Sequence, residues 1–424
     1  MPKNDHDHCS KAQQVQSENV VIMLYRRIVQ GNYVFLVKSL AMKRNSKIYK
    51  FTAAIAILGV LVAAILYYRL PNRHKAIVKT YILQRSGMVD NQWEIDNKLQ
   101  HYTMISPAFY IDGIYKSMEG PKSSNYVQLS QDSTLLWITG FHVRAVNSSN
   151  KKRISNDFIC HTNVDFNDVK YFSNFHLNDR IGKQYPRMTS LSHGLENFKF
   201  PKGYGVPMKG NDLLYVTTES LNHNIPDANY LIKHEVQIDY LTNTTSYKPL
   251  TSRTVYIMLP YDKSNPFKSP IDPGKDYCIP VETKNHSYDD GSGNKLSGHW
   301  VIPKGKHTYR SSIDNQLQIT SDSIRLHAAA VHVHPFSTSL TVWDKTAKKA
   351  IFTSHISNHN NKIGLSKIDA FSSEPGVWMF KNHHYELVLE VNNTSTIDQD
   401  MMGSMFLFFY DEELDRIIKQ KGIR

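Results

Sequence analysis

The chain has 424 residues, 41% of them hydrophobic and 21% charged, with a formal net charge of +12. It is too long and too apolar for a stapled mini-domain or a disordered tail, and three cysteines exclude a disulfide scaffold. Residues 1–80 hold 13 Lys and Arg against 3 Asp and Glu, and the other 344 residues hold 37 against 35, so the main body is nearly neutral and no nucleic-acid partner is expected.

Residues 1–50 form a basic N-terminal segment. Within it residues 20–37, VVIMLYRRIVQGNYVFLV, are apolar but broken by Arg26 and Arg27, which suits an interfacial or packed stretch. Residues 51–68, FTAAIAILGVLVAAILYY, carry no charge. As a helix they would span roughly 27 Å, close to a hydrocarbon core, so a single transmembrane helix is expected there. Tyr67 and Tyr68 suit the interface, and Lys50 and Arg69 bracket the run. Five basic residues lie on each flank (Lys38, Lys43, Arg44, Lys47, Lys50; Arg69, Arg73, Lys75, Lys79, Arg85), so charge alone does not orient it.

Residues 69–114 read as a stalk with some helical character. From 115 onward the texture changes to short runs rich in Val, Ile, Thr, Tyr and Phe, such as LLWITGFHVRAV, DFICHTNVDF, HEVQIDYL and YELVLEV. Turn residues bound them and no long helical period interrupts them. The prediction is an all-β body of two tandem antiparallel sandwiches, at 115–265 and 299–412, with a linker or long loop at 266–298 and a tail at 413–424. Gly, Pro, Asp, Asn and Ser concentrate in that linker.

No nucleophile elbow, zincin helix, phosphate loop or dinucleotide fingerprint is present. Histidine is abundant, at 20 residues. In IRLHAAAVHVHPFSTSLTVW (324–343), His332 and His334 are two apart, so a strand points both imidazoles to one face. The small Ala328 and Ala330 share that face, and two neutral imidazoles there can chelate a metal. A pair of half-exposed strand histidines would show the same spacing. Farther on, DQDMMGSMFLFFY (398–410) presents Met402, Ser404 and Phe406 on one face. A thioether beside two imidazoles favours copper, especially Cu(I), although most strand methionines simply fill core. His327 falls on the opposite side of a regular strand and reads as structural. His193, in SLSHGLENF, reads as a solvated loop residue.

Taken in order, LLWITGFHVRAV, DFICHTNVDF, FPKGYGVPMKG, HWVIPKGKHTY, VHVHPFSTSL and DMMGSMFLFFY resemble segments of the copper type II, ascorbate-dependent monooxygenases. That family includes peptidylglycine α-hydroxylating monooxygenase and dopamine β-monooxygenase, and the resemblance covers about residues 115–412. It implies two jelly-roll sandwiches, each holding one copper at their shared cleft. His332, His334 and Met402 would hold the oxygen-activating copper, and Cys160, His161 and His223 the second. The second set departs from the family, because Cys160 stands where one of two adjacent histidines is normal. Cys160 could ligate through a thiolate, bridge to Cys278, or be a buried thiol. Ala330 stands where the peptide-hydroxylating enzyme has an Arg, and Ser404 and Phe406 where it has Asn and Tyr. The implied substrate is therefore a small molecule rather than a peptide C-terminal carboxylate. The implied activity is hydroxylation of an aliphatic C–H with dioxygen and a reductant such as ascorbate. A non-catalytic copper-binding or surface-interaction protein is the alternative. Relatives of this kind work outside the cytosol, which implies a cytoplasmic N-terminus and an extracytoplasmic body, periplasmic or extracellular.

Overall fold

The computed structural model describes residues 46–98, 100–242, 246–260 and 296–420. The 20–37 stretch, Cys278 with its possible bridge to Cys160, and most of the linker lie outside these residues. The Ser46–Arg69 helix belongs to one compact unit and residues 70–424 to another.

The apolar run folds as one 24-residue helix, Ser46–Arg69, about 36 Å long and stopped before Pro71. Phe51, Ile57 and Val60 are exposed. It is the one helix among the described residues long and apolar enough to cross a membrane.

The second unit opens with the helix Asn72–Arg85, and Lys79 Nζ on that helix donates to Asp112 at 2.6 Å and to the Tyr115 hydroxyl at 2.8 Å. The sheet begins at Glu94, inside the segment expected to be a stalk: Glu94–Lys98 pairs with His101–Ile105, which pairs with Tyr230–Thr242. His101–Ile105 reads HYTMI, with Tyr102 and Met104 buried, so it has the period-2 pattern of a half-buried strand over only five residues.

The body is all-β and mostly antiparallel. One long sheet runs through the strands 94–98, 101–105, 230–242, 135–147, 204–209, 248–256, 403–410, 323–333 and 371–380. The contact between 204–209 and 248–256 is parallel, and the other pairings along this path are antiparallel. A four-stranded sheet (122–127, 214–220, 159–166, 187–191) and a five-stranded sheet (305–312, 385–393, 337–344, 349–358, 365–368) complete the layers.

Strands from both sides of the expected linker share the long sheet, since Lys248–Tyr256 pairs with Gly403–Tyr410. One hydrophobic core runs from Trp137 to Leu389 and Phe406, and residues 70–424 fall in one compact unit. Phe408 sits at the join, with ring centroids 5.6 Å from Phe198 and 4.6 Å from Phe200. Arg180 adds a polar link, pairing with Asp411 and, at 2.7 Å, with Glu413. An aromatic from one half that fills the core of the other gives the halves a common interior.

Candidate metal centre

The strand Ser323–Val333 lies between Gly403–Tyr410 and Phe371–Phe380, with the edge strand Arg187–Leu191 of the four-stranded sheet packed across it. Ala328 and Ala330 are fully buried, so their small side chains let the layers approach rather than leaving open space. The next residues on that face are His332 and His334, both buried. Their ring centroids lie 5.7 Å apart. His161, from the strand Ile159–Phe166, lies 5.8 Å from the His332 ring, and His299 lies 5.7 Å from the His334 ring. Four imidazoles thus stand in file across the layers, in the order 161, 332, 334, 299.

A small cavity of about 30 Å³ lies beside this file, lined among others by Cys160, His223, His332 and His334. That volume holds one or two water-sized occupants. Residues expected at two separate sites therefore meet at one cavity. His161 is outside the lining: neighbouring strand residues point to opposite faces, and its Nδ1 lies 3.3 Å from Cys160 Sγ instead.

The polar atoms facing inward are short of partners. Nε2 of His223, Nδ1 of His332 and Nε2 of His334 are buried without a hydrogen bond. An orphaned buried nitrogen costs free energy on the order of 1–3 kcal/mol, and the three rings that carry these atoms line one cavity. Burial holds His332 well below the usual imidazole range, lowers His223 to about 4 and lowers His161 to about 3. They are neutral at pH 7, the state in which an imidazole donates a lone pair.

Asp400 fixes one of these rings. Its Oδ2 lies 2.9 Å from His334 Nδ1 and 3.3 Å from His299 Nε2. Burial pushes the Asp400 carboxyl up, but the hydrogen bonds from His299 and His334 outweigh it and hold the group well below the carboxylate range. Nδ1–H donated to a carboxylate leaves Nε2 of His334 as the bare donor, as in carboxylate–histidine–metal pairs.

Met402 is buried. Ser404 pairs with His332 and Gly403 with Val333, so the next pair in that register sets Met402 opposite His334. The short ladder of Trp300–Ile302 with Gln399–Met401, extended by one residue, sets it opposite His299 as well. Met402 is not part of the cavity lining. Met401 turns away, its sulfur accepting the Ser337 hydroxyl at 3.4 Å inside the second half.

His327 is displaced from the file by a bulge between Leu326 and Ala328. Its Nδ1 faces the Ser373 carbonyl at 3.0 Å and its ring stacks on Tyr204 at 4.2 Å. Gly376, at φ +66°, makes room for this bulge, since a Cβ there would lie 2.8 Å from the Leu326 carbonyl oxygen. Glu219 faces His161 across the ladder, and burial raises its carboxyl to about 7.

Sequence reasoning missed His299 and Asp400 as partners of His334. The visible signal was weak: Asp400 shares the strand phase of Met402, two residues on. It also missed His193, which is held by Glu196 and faces Asp157 and His359. The spacing His193–Gly194–Leu195–Glu196, a turn that lets a side chain bond three residues on, was the local hint.

Imidazoles and a thiol line the cavity, and these are ligand types that soft and borderline metal ions accept.

No family model matches the chain, and no curated protein does. Among solved structures it is similar to a recombinant peptide: N-glycanase F (PNGase F), at 9% identity over 74% of this chain and 96% of that one, with a TM-score of 0.29. It is also similar to the major capsid protein P2 from bacteriophage PM2, at 10% identity over 73% and 99%, with a TM-score of 0.26.

Proposed function

We propose that this chain is a membrane-anchored copper protein whose centre is the cavity beside His332 and His334, and that it acts as a monooxygenase on an aliphatic C–H of a small molecule. The supporting observation is that three histidines with a buried, unpartnered ring nitrogen, His223, His332 and His334, line one cavity. His334, oriented by Asp400, and His332 would hold the copper, with Met402 as the sulfur ligand. Bound there, copper would supply one-electron redox chemistry and dioxygen activation, with ascorbate or another reductant as electron source. The chain's own part is to present neutral donors, exclude bulk water and set the cavity's polarity.

The apolar surroundings fit an uncharged substrate. Ala330 pairs with Phe406 beside the histidines, and the buried Arg187 is engaged by Asp165 at 2.7 Å. A carboxylate-bearing peptide end would find no open guanidinium fork on these residues. The Ser46–Arg69 helix would anchor the chain, with the N-terminus cytoplasmic and the body extracytoplasmic.

A second reading is favoured by one observation, the cavity volume of about 30 Å³, which has no room for a substrate beside an ion. On that reading the chain binds copper without turnover. Copper content and ascorbate-dependent oxygen uptake of the full chain separate the two. One copper per chain with oxygen consumption supports the enzyme, and copper without oxygen consumption supports the binding protein. Absence of copper refutes both.

A further inference from the structure

A second group of ligand-type side chains stands at the rim of the same cavity. Asp157, from the turn before the strand Ile159–Phe166, meets His193, from the turn after Arg187–Leu191, and His359, just past Lys349–Asn358. Asp157 and His193 line the cavity that holds His332 and His334. The three are partly exposed, with side-chain exposures of 21%, 19% and 24%.

The geometry is that of a ligand triangle. His193 Nε2 lies 3.1 Å from Asp157 Oδ1, His193 Nε2 lies 3.2 Å from His359 Nε2, and His359 Nε2 lies 3.6 Å from Asp157 Oδ1. Four ligands placed tetrahedrally at 2.0–2.1 Å from a zinc ion are about 3.3 Å from one another. The observed edges bracket that value, so an ion seated over this triangle reaches all three atoms with little movement.

The surrounding bonds orient these side chains toward one another. Glu196 Oε1 sits 2.8 Å from His193 Nδ1 and also accepts the Gly194 backbone N–H at 3.1 Å, so it is fixed as an acceptor. In the neutral ring with Nδ1–H donated to Glu196, the His193 lone pair lies on Nε2, so an ion at the triangle takes the place of the Nε2 proton. Lys362 engages Asp157 through Oδ2, and Oδ1 faces His193 Nε2 at 3.1 Å. The His359 loop is docked on the first half, because Asn224 donates to the Ile363 carbonyl at 2.8 Å and accepts the Ile363 N–H at 2.9 Å.

We propose that Asp157, His193 and His359 form a divalent-cation site of the zinc class, with the fourth position open to water. Two imidazoles and a carboxylate with one open position match a catalytic rather than a closed structural zinc site. The ion also joins residues from both halves at the mouth of the inner cavity. The proposal does not depend on copper in that cavity. Its rival is a protonated His193 clamped between Asp157 and Glu196, with no ion.

The test is zinc binding to the full chain in detergent, followed by metal analysis and competition with a chelating dye. The expected result is one tight zinc per chain, retained in His332→Ala. It is weakened roughly 10- to 100-fold in Glu196→Gln, where the orienting carboxylate is lost, and abolished in His359→Ala. A thermal melt shows that each variant is folded, and the imidazole NMR signal of His193 gives a second readout in the unmutated chain. Zinc retained by folded His359→Ala overturns the site, as does zinc lost in His332→Ala. A His193 ring that stays doubly protonated at saturating zinc overturns it in favour of the ion pair. Failure of the copper reading would instead show as absence of bound Cu(I), with zinc binding intact.

Discussion

The inner and outer histidine groups use the same side chain in opposite ways. The inner rings of His332 and His223 are buried and kept neutral by desolvation. The outer His193 is partly exposed. Burial alone would lower it, but hydrogen bonds to Asp157 and Glu196 raise it to about 9. Inside, bare nitrogens are stored with few charges around them; outside, the charges are already balanced by Asp157, Glu196 and Lys362. A soft monovalent ion suits the first setting, because it adds one charge where few are compensated. A divalent ion suits the second, where carboxylates are at hand.

The largest effect expected is at the inner group. His332→Ala or Met402→Ala should remove one copper per chain while circular dichroism and the melt stay those of a folded protein. Unchanged metal content in both variants would break the assignment. Asp400→Asn comes next. It should weaken copper binding by roughly 10- to 100-fold without abolishing it, because the ring of His334 loses its orienting carboxylate. A titration showing full affinity in that variant would mean that His334 is not held through Asp400.

A smaller effect tests how dry the interior is. His234 is fully buried, with Nδ1 2.6 Å from the Thr218 hydroxyl, and burial lowers it to about 3 against an ordinary value near 6.5. Between those values the unfolded chain binds the proton and the folded chain does not. This contribution is therefore complete above about pH 6.5 and is lost as pH falls toward 3, at up to roughly 1.4 kcal/mol per pH unit. Denaturant unfolding at pH 7.5, 6.0 and 5.0 should show a shallower acid slope in His234→Gln than in the parent. Equal slopes would show that the imidazole is wetter than its burial implies. The smallest effect is His327→Ala, which should leave metal content unchanged because that ring stacks on Tyr204.

Much of this was legible in the sequence for a definite reason. Strand texture and the apolar run are local patterns, so the sheets from LLWITGFHVRAV to SMFLFFY and the helix at 46–69 follow from period and composition. His332 and His334 were legible because a spacing of two fixes a common face. The stalk was misread at 94–105, where two five-residue strands carry too little period to stand out. The joining of the halves was hidden because Phe408 meets Phe198 and Phe200 only through a long-range register. The outer triangle was illegible for the same reason: Asp157, His193 and His359 come from three separate turns, and sequence distance gives no hint of their meeting. His193 shows the cost, since a loop histidine expected to be solvated proved to have three partners.

The most direct test of the central claim is X-ray absorption at the copper edge of the reduced, copper-loaded chain carrying His359→Ala, so that only the inner group is available. The account predicts two imidazoles and one sulfur around the ion, with the sulfur signal lost in Met402→Leu. A shell of nitrogen and oxygen alone would contradict it, as would a sulfur signal that survives Met402→Leu and disappears in Cys160→Ser.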